Sequence, residues 1–353
     1  MTRWVATAPG KVVLLGEYAV LEGTPALVQA VDRRCRVELI ECAARDCRIE
    51  APQLDIPPVR FAPEDSGSLR WQEAVPAPFA RTAALIDAVL GRISRSGGRI
   101  APFRMSIDTA ELFDAGGKRP IKLGLGSSAA TAVAIDAVLH AAFLGDHPAE
   151  SAVETVARLL VPGREAQGNA GSGIDLAASL CGGLLAYRIR DEQIEIRPLS
   201  MPESVRTCFV WAGEPASTAE LLAAWRRSRE RAPREHGGLL GEMHSVASAG
   251  VEALERGDAD AILACWSDYG EIMGKMNDLV GCEVVTTEHR MANGFAQLLA
   301  GVYKPCGAGG GDLGVAASRD PEFGPRMRYL CRQAGLKTLS VRPDPQGVRV
   351  IRE

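Results

Sequence analysis

A glycine-rich stretch carries residues that suit the binding of phosphate. Residues 122–130 read Lys-Leu-Gly-Leu-Gly-Ser-Ser-Ala-Ala and continue into an apolar segment that ends near Phe143. Glycine permits a tight turn and a close approach to a ligand, and Ser127 is of a type favoured as a helix N-cap. Because a helix N-terminus presents unpaired amides and the positive end of its dipole, the stretch predicts an anion site before a buried helix.

The residues of this loop exclude one nucleotide site and leave three interpretations open. A P-loop is excluded because no Gly-Lys-Ser or Gly-Lys-Thr closes the loop. The loop matches Gly-x-Gly-x-x-Ala, but a dinucleotide site needs a hydrophobic strand directly before it, and residues 114–120 predict a loop. A structural turn before a core helix is the second interpretation. The third, a nucleoside triphosphate loop with serine ligands, is favoured.

Two charged residues lie beside other glycine motifs. Lys11 follows Pro9-Gly10 in an apolar stretch, where a lysine needs a partner. Asp175 follows Gly171-Ser172-Gly173-Ile174, where it either caps a helix or takes part in chemistry. Residues 304–312, which read Lys-Pro-Cys-Gly-Ala-Gly-Gly-Gly-Asp, predict a further glycine-rich turn.

Bulk properties narrow the class of protein. A length of 353 residues suggests about two domains, and a net charge of −4 favours neither nucleic acid nor an anionic membrane as a partner. No apolar run is long enough to span a bilayer, and the N-terminus lacks a signal-peptide core. The nine cysteines form no Cys-x-x-Cys pair, so we expect reduced thiols in a cytoplasmic protein. The sequence leaves the oligomeric state open.

Hydrophobic periodicity predicts the elements that hold these motifs. A β-rich stretch over residues 4–15 is expected to be interrupted at residues 8–11, residues 51–67 predict a loop, and Pro162 is expected to end a helix. A composition shift near Pro198 predicts domains 1–198 and 199–353. The other predicted elements are strands at 26–31, 34–40, 103–107, 184–189, 193–197, 313–317, 336–341 and 348–351, and helices at 78–94, 129–143, 150–160, within 217–299 and at 321–334.

Three motifs in one order closely resemble a family of small-molecule kinases. They are Ala-Pro-Gly-Lys at residues 8–11 with Gly-Glu-Tyr at 16–18, the loop at 124–130, and the turn at 307–312. The family includes galactokinase, homoserine kinase, mevalonate kinase and phosphomevalonate kinase, and the resemblance covers residues 9–317. The phosphomevalonate kinases are the most similar members, on the stretches 122–128, 166–175, 285–290 and 304–312.

The resemblance implies a fold and an activity. The fold is α+β and two-domain, with a ribosomal-protein-like β-α-β N-terminal domain and a ferredoxin-like C-terminal domain. The activity is transfer of the γ-phosphate of ATP, with Mg²⁺ as cofactor, to 5-phosphomevalonate in the mevalonate route to isoprenoids. The alternatives are another acceptor, such as mevalonate or homoserine, and a non-catalytic ligand-sensing relative.

The resemblance also implies roles for individual residues. Lys11 and Asp175 are expected to form the catalytic pair at the transferred phosphoryl group. The residues expected to bind the phosphates of ATP are Gly124, Leu125, Gly126, Ser127, Ser128 and Ala129. The residues expected to bind the acceptor are Lys11, Tyr18, Ser172, Arg290, Lys304, Gly307, Ala308, Gly309 and Gly310. Ser128 and Glu165 are expected to bind the metal.

The acceptor decides how these residues work. A phosphate monoester is mostly ionised at pH 7 and needs little general base, so cations are expected to offset the meeting of two polyanions. Lys11, Arg164, Lys304 and Arg290 are the candidate cations. Cys306 stands where relatives usually carry serine. Because it lies near Lys304 and several backbone amides, we expect an ionised thiol that reacts early with alkylating reagents.

Overall fold

Two β-sheets, a short hairpin and the helices packed on them make up the described part of the chain. The computed structural model describes residues 2–64, 67–114, 120–145, 150–166, 171–213 and 218–353, and only the backbone of 162–166. The strands are β1 (Arg3–Leu15), β2 (Ala26–Glu41), β3 (Arg48–Glu50), β4 (Val59–Pro63), β5 (Leu69–Trp71), β6 (Phe103–Asp108), β7 (Phe113–Asp114), β8 (Ile121–Lys122), β9 (Leu184–Arg190), β10 (Gln193–Leu199), β11 (Arg206–Trp211), β12 (Val302–Pro305), β13 (Leu313–Ser318), β14 (Lys337–Leu339) and β15 (Arg349–Arg352). The helices are α1 (Ala80–Arg95), α2 (Ser127–Phe143), α3 (Ala152–Ala166), α4 (Ile174–Cys181), α5 (Thr218–Arg231), α6 (Pro233–Glu255), α7 (Ala259–Val280), α8 (Thr287–Leu298) and α9 (Phe323–Gln333).

The first sheet is built on two long antiparallel strands, β1 and β2. Its strand order is β10-β9-β2-β6-β3-β4-β5, and β1 pairs with both β2 and β15. The predicted interruption of the first strand is wrong, as is the division of the second into two. A register shift between Pro9 and Gly10 absorbs the irregular sequence within one continuous ladder. This shift lies directly before Lys11.

The second sheet has the order β12-β13-β11-β14. Helices α8 and α9 pack on it and enclose a small apolar cluster that contains Val210, Phe323 and Met327. A larger apolar core runs from the first sheet through α2 to the long helices α6 and α7. The strands of the two sheets change over between β10 and β11, near the predicted boundary. However, β15 pairs with β1, so the C-terminal strand adds to the first sheet.

Two further predictions about elements are wrong. Within residues 51–67, Val59 and Phe61 are buried and β4 forms, because the sheet supplies a partner strand in β3. Helix α3 continues past Pro162, since Val156 and Leu159 anchor it in the core and packing outweighs the local cost of proline. The predicted strands at 184–189 and 193–197 form the antiparallel pair of β9 and β10, and the helices predicted within 217–299 are present as α5 to α8.

Helix α2 is the buried helix that the glycine loop predicted. Val133, Ile135 and Val138 are at most 1% exposed, and the helix packs on β1 and β2. Its buried Asp136 receives two hydrogen bonds from Arg158 of α3, at 2.5 and 3.0 Å, which satisfy the carboxylate. The packing on β1 and β2 and the ion pair with α3 together hold the helix, including its N-terminus, in place against the first sheet. Among the described residues, none of the helices has the length and apolar character needed to cross a membrane.

Candidate active site

The glycine loop lies against the strand that carries Lys11. The Lys11 amide donates to the Leu125 carbonyl at 2.9 Å. A Cβ on Gly10 would lie 2.7 Å from the same carbonyl oxygen, and a Cβ on Gly126 would lie 2.8 Å from Cε of Lys11. Gly126 also has a φ of 74°, which favours glycine. The side chain of Lys11 thus crosses the loop where glycine leaves room for it.

Helix α2 is capped by Gly126, so the prediction that Ser127 is the N-cap is wrong. The Gly126 carbonyl accepts from the amides of Ala129 and Ala130, each at 3.1 Å, so the Ala129 amide already has an acceptor. In the described part of the chain, the amides of Ser127 and Ser128 donate to no backbone carbonyl. These two amides lie at the positive end of the helix dipole, where an anion is stabilised.

Lys11 and Asp175 form an ion pair. Lys11 Nζ lies 3.1 Å from Oδ1 of Asp175, and their side chains are 10% and 40% exposed. Helix α4 is capped by Gly173, with a φ of 84°, which places Asp175 in the first turn rather than at the cap. Ser172 builds this turn: its hydroxyl accepts from the Ile174 amide at 3.4 Å and its carbonyl from the Tyr187 hydroxyl at 2.5 Å. The structure therefore joins two motifs that lie far apart in sequence.

The glycine turn at residues 306–312 closes on the other two motifs. The Tyr18 hydroxyl donates to the Ala308 carbonyl, and the Gly310 amide donates to the Val284 carbonyl at 2.7 Å. A Cβ on Gly124 would lie 2.9 Å from Cγ of Asp312, so this side chain covers the glycine loop. Asp312 is the last residue of the third motif, and the sequence alone predicts no role for it.

Two residues expected to contact the acceptor have structural roles instead. Lys304 is 0% exposed, and its Nζ donates to Oε1 of Glu17 at 2.5 Å and to the Pro305 carbonyl at 2.6 Å. The prediction that Lys304 is an acceptor-binding cation is therefore wrong. Tyr18 is 4% exposed, and its hydroxyl donates to the Ala308 carbonyl. It therefore contacts the glycine turn, and the prediction that it binds the acceptor is wrong.

Arg290 is exposed and lies beside the segment that supports the glycine turn. Its guanidinium donates to the Val285 carbonyl at 2.7 Å and pairs with Glu283 at 3.1 Å. Of the turn residues predicted to bind the acceptor, Gly309 is buried, while Gly307, Ala308 and Gly310 are half-buried. The side chains of Arg164 and Glu165, and residues 167–170 of the stretch 166–175, lie outside the described part of the chain.

The oxygen donors near the loop fit Mg²⁺. Mg²⁺ takes hard oxygen ligands and keeps several waters and substrate phosphates, so it needs few protein ligands. Ser128 is exposed in the first turn of α2, and the carboxylate of Asp175 is partly exposed beside Lys11. In the described residues, no group of three His, Cys, Asp or Glu side chains is placed to hold a metal. This set suits a cation bound largely by substrate.

Cys306 is buried, which overturns the prediction of an ionised and reactive thiol. It is 5% exposed, and burial raises its pKa to about 12, against the opposing effect of Lys304. The cation that was expected to ionise the thiol is itself paired with Glu17. We therefore expect Cys306 to label slowly with iodoacetamide. Cys42, Cys181 and Cys282 are half-buried and should label earlier in a time course followed by peptide mapping.

His289 supports the glycine turn from beneath. Its Nε2 lies 2.8 Å from the Gly311 carbonyl, which can only accept, so Nε2 carries the proton. Its Nδ1, 2.6 Å from the Tyr303 hydroxyl, therefore accepts from that hydroxyl. Burial lowers the pKa of His289 from 6.5 to about 4, so the imidazole is neutral at pH 7.

This pKa predicts a loss of stability in mild acid. As the pH falls below 6.5, the unfolded chain binds a proton at His289 before the folded chain does, so stability decreases until about pH 4. The full effect is about 3 kcal/mol. Unfolding by urea between pH 7 and pH 4 should show this loss in the wild type. The variant His289→Gln, which cannot titrate, should lose less. Parallel pH curves for the two proteins would contradict the assignment.

Comparisons with known proteins give the family. The model of the GHMP kinases N terminal domain matches residues 84–183, which include the glycine loop and Asp175. Phosphomevalonate kinase from Streptomyces sp. (strain CL190) is 29% identical over 98% of each chain. Mevalonate kinase from Archaeoglobus fulgidus is 30% identical over 73% of this chain and 74% of that protein.

Solved structures agree with the fold. The Lin0012 protein from Listeria innocua superposes with a TM-score of 0.88, at 24% identity over 99% of each chain. Phosphomevalonate kinase from Streptococcus pneumoniae, in complex with phosphomevalonate and AMPPNP, gives 0.78 at 21% identity over 96% of this chain and 99% of that one. The predicted two-domain α+β class is confirmed. On these similarities, the chain belongs to the GHMP kinase family.

Proposed function

We propose that this kinase transfers the γ-phosphate of ATP to 5-phosphomevalonate, giving 5-diphosphomevalonate in the mevalonate route to isoprenoids. The observation that carries the proposal is the ion pair of Lys11 with Asp175, beside the amides of Ser127 and Ser128, which donate to no backbone carbonyl among the described residues. The full-length similarity to a phosphomevalonate kinase supports the choice of acceptor. A ligand sensor would not need Lys11, Ser128 and Asp175 together.

The proposed roles follow from charge and position. The amides of Ser127 and Ser128, at the positive end of α2, hold phosphate oxygens of ATP. Lys11, held over the loop by Asp175, neutralises charge that develops on the transferred phosphoryl group. Ser128 would hold Mg²⁺, with Glu165 as a second proposed ligand, and the bound ion would supply further charge neutralisation.

The acceptor's own charge limits what Asp175 must do. A phosphate monoester is already largely ionised at pH 7, so its oxygen attacks without a strong base. Asp175 is therefore proposed chiefly to orient Lys11, which lies 3.1 Å from it. Of the cations predicted to offset the charge of the substrates, Lys304 cannot reach them because it is buried, and Arg290 forms an ion pair with Glu283. Lys11 carries most of the proposed electrostatic role.

An assay of ADP release tests the acceptor. The purified protein, with MgCl₂ and ATP, is offered 5-phosphomevalonate, mevalonate, homoserine and galactose in parallel. We expect turnover with 5-phosphomevalonate well above that with the other three, and none when EDTA removes Mg²⁺. Equal or greater turnover with an unphosphorylated acceptor would overturn the assignment. Mevalonate is the second candidate, because mevalonate kinases match this chain at similar identity.

A further inference from the structure

A buried ion pair outside the reacting centre joins Glu17 of the first motif to Lys304, which precedes the third motif by three residues. Glu17 is 4% exposed and Lys304 is 0% exposed, and Lys304 Nζ lies 2.5 Å from Oε1 of Glu17. The other oxygen of Glu17, Oε2, is buried and has no hydrogen-bond partner among the described residues. Burial raises the pKa of Glu17, and Lys304 is the main group that opposes this effect, assisted by the backbone of Glu17 and of Gly307.

Each member of the pair is fixed at its backbone. The Glu17 carbonyl accepts from the buried Tyr269 hydroxyl at 2.7 Å, and Gly16 before it has a φ of 90°. Lys304 belongs to β12, and its Nζ also donates to the Pro305 carbonyl at 2.6 Å. Glu17 comes two residues after β1, the strand that carries Lys11. Lys304 comes two residues before Cys306, where the glycine turn begins.

The pair therefore fixes the distance between two functional segments. On one side lies the strand of Lys11. On the other lies the turn whose Asp312 covers Gly124 of the glycine loop. The neighbouring Tyr18 hydroxyl, bonded to the Ala308 carbonyl, links the same two segments a second time. A shift in the pair would move the turn relative to both Lys11 and the loop.

Stability alone does not explain a pair buried this completely. Taking two charges out of water costs about as much as their attraction returns, and apolar replacements of such pairs are often neutral for stability. An ion pair does, however, fix one geometry, and a polar contact in a core can select one arrangement of segments. Reaction rates are sensitive to such geometry, because a displacement of about 1 Å can cost about 10²-fold.

We propose that Glu17 and Lys304 are positioning residues, which hold the glycine turn at 306–312 in register with Lys11 and the glycine loop. The kinetic assay that tests this inference rests on the proposed function, whereas the geometry from which it is argued does not. Neither side chain contacts substrate in the proposal. Cys306, buried at the start of the turn, reports on the turn's position without any turnover.

Two variants test the pair. The double variant Glu17→Gln/Lys304→Met removes both charges together, so no buried charge is left uncompensated. The variant Glu17→Asp keeps the charge but shortens the side chain by one methylene. Lys275→Met is the matched control, because Lys275 forms an exposed pair with Glu242 at 2.6 Å on α6 and α7. Each protein is assayed on whichever acceptor the wild type phosphorylates.

The first readout is the labelling of individual cysteines by iodoacetamide. We expect Cys306 to label at least about 10-fold faster in both pair variants, with Cys208 and Cys331 of the second sheet's core unchanged, as local opening predicts. The second readout is kinetic: kcat should fall about 10–10²-fold, while the Kd of a non-hydrolysable ATP analogue changes little. Lys275→Met should match the wild type in both.

Three results would overturn the proposal. The first is wild-type Cys306 labelling and kcat in the folded double variant, which would show that the pair only fills space. The second is faster labelling of all buried cysteines, which would show general destabilisation. If the double variant does not fold, Glu17→Asp is the test. The third contrary result is then wild-type labelling of Cys306 and wild-type kcat in Glu17→Asp. A wild type that prefers another acceptor would refute the proposed function and leave these readouts intact.

Discussion

Replacing Lys11 by methionine is expected to lower kcat/KM by about 10²–10³-fold, the usual cost of losing one preorganised charge at a transition state. Methionine keeps the length and packing of the side chain, which is 10% exposed and lies against Gly126. The loss should therefore fall on the reaction rather than on folding. Steady-state kinetics with ATP and 5-phosphomevalonate, together with thermal unfolding, separate the two effects.

Asp175→Asn serves as the comparison for Lys11→Met. If the acceptor is already an anion, the loss of Asp175 removes an orienting partner and a dispensable base, and should cost about 10²-fold or less. Lys275→Met removes a lysine from an exposed pair and should have no effect. A fall of about 10⁴-fold in Asp175→Asn, with Lys11→Met nearly intact, would show that a general base is essential. The acceptor would then be an unionised hydroxyl.

The sequence predicted the elements and the motifs of the site because both depend on short-range patterns. The apolar run after residue 128 gave the buried helix α2, and glycine spacing identified the loop and the turn. The pairing of Lys11 with Asp175 came from resemblance, since nothing local relates residues so far apart. Within the first sheet, β4 was missed because its strand character depends on the partner strand β3.

Burial was the property that sequence could not supply. Lys304 and Cys306 lie beside a glycine turn, and their local surroundings indicate an exposed cation and a reactive thiol. The structure buries both, and Glu17, 287 residues before Lys304, supplies the carboxylate that compensates the buried lysine. The signal was present in the Gly-Glu-Tyr motif, where a glutamate lies two residues after an apolar strand. A charged residue in such a position needs a partner, and only the tertiary structure shows which one.

Gly126→Ala is expected to give the second large loss of activity, about 10²-fold in kcat/KM. Two effects combine at this position. A φ of 74° costs an L-residue about 1–2 kcal/mol, and the new Cβ would lie 2.8 Å from Cε of Lys11. Because the side chain of Lys11 is flexible, it should move away from the loop and from Asp175 rather than unfold the protein.

Gly97→Ala is the matched control, since it separates these two effects. Gly97 has a φ of 87°, so alanine there carries the same backbone cost, but a Cβ on Gly97 would meet no described atom within 4 Å. Both variants should therefore lose similar stability in urea, while Gly97→Ala keeps wild-type kcat/KM. Equal kinetics in the two variants would mean that Lys11 does not need its place over Gly126. In that case the glycine loop would act through its amides alone, and the proposed role of Lys11 would have to be abandoned.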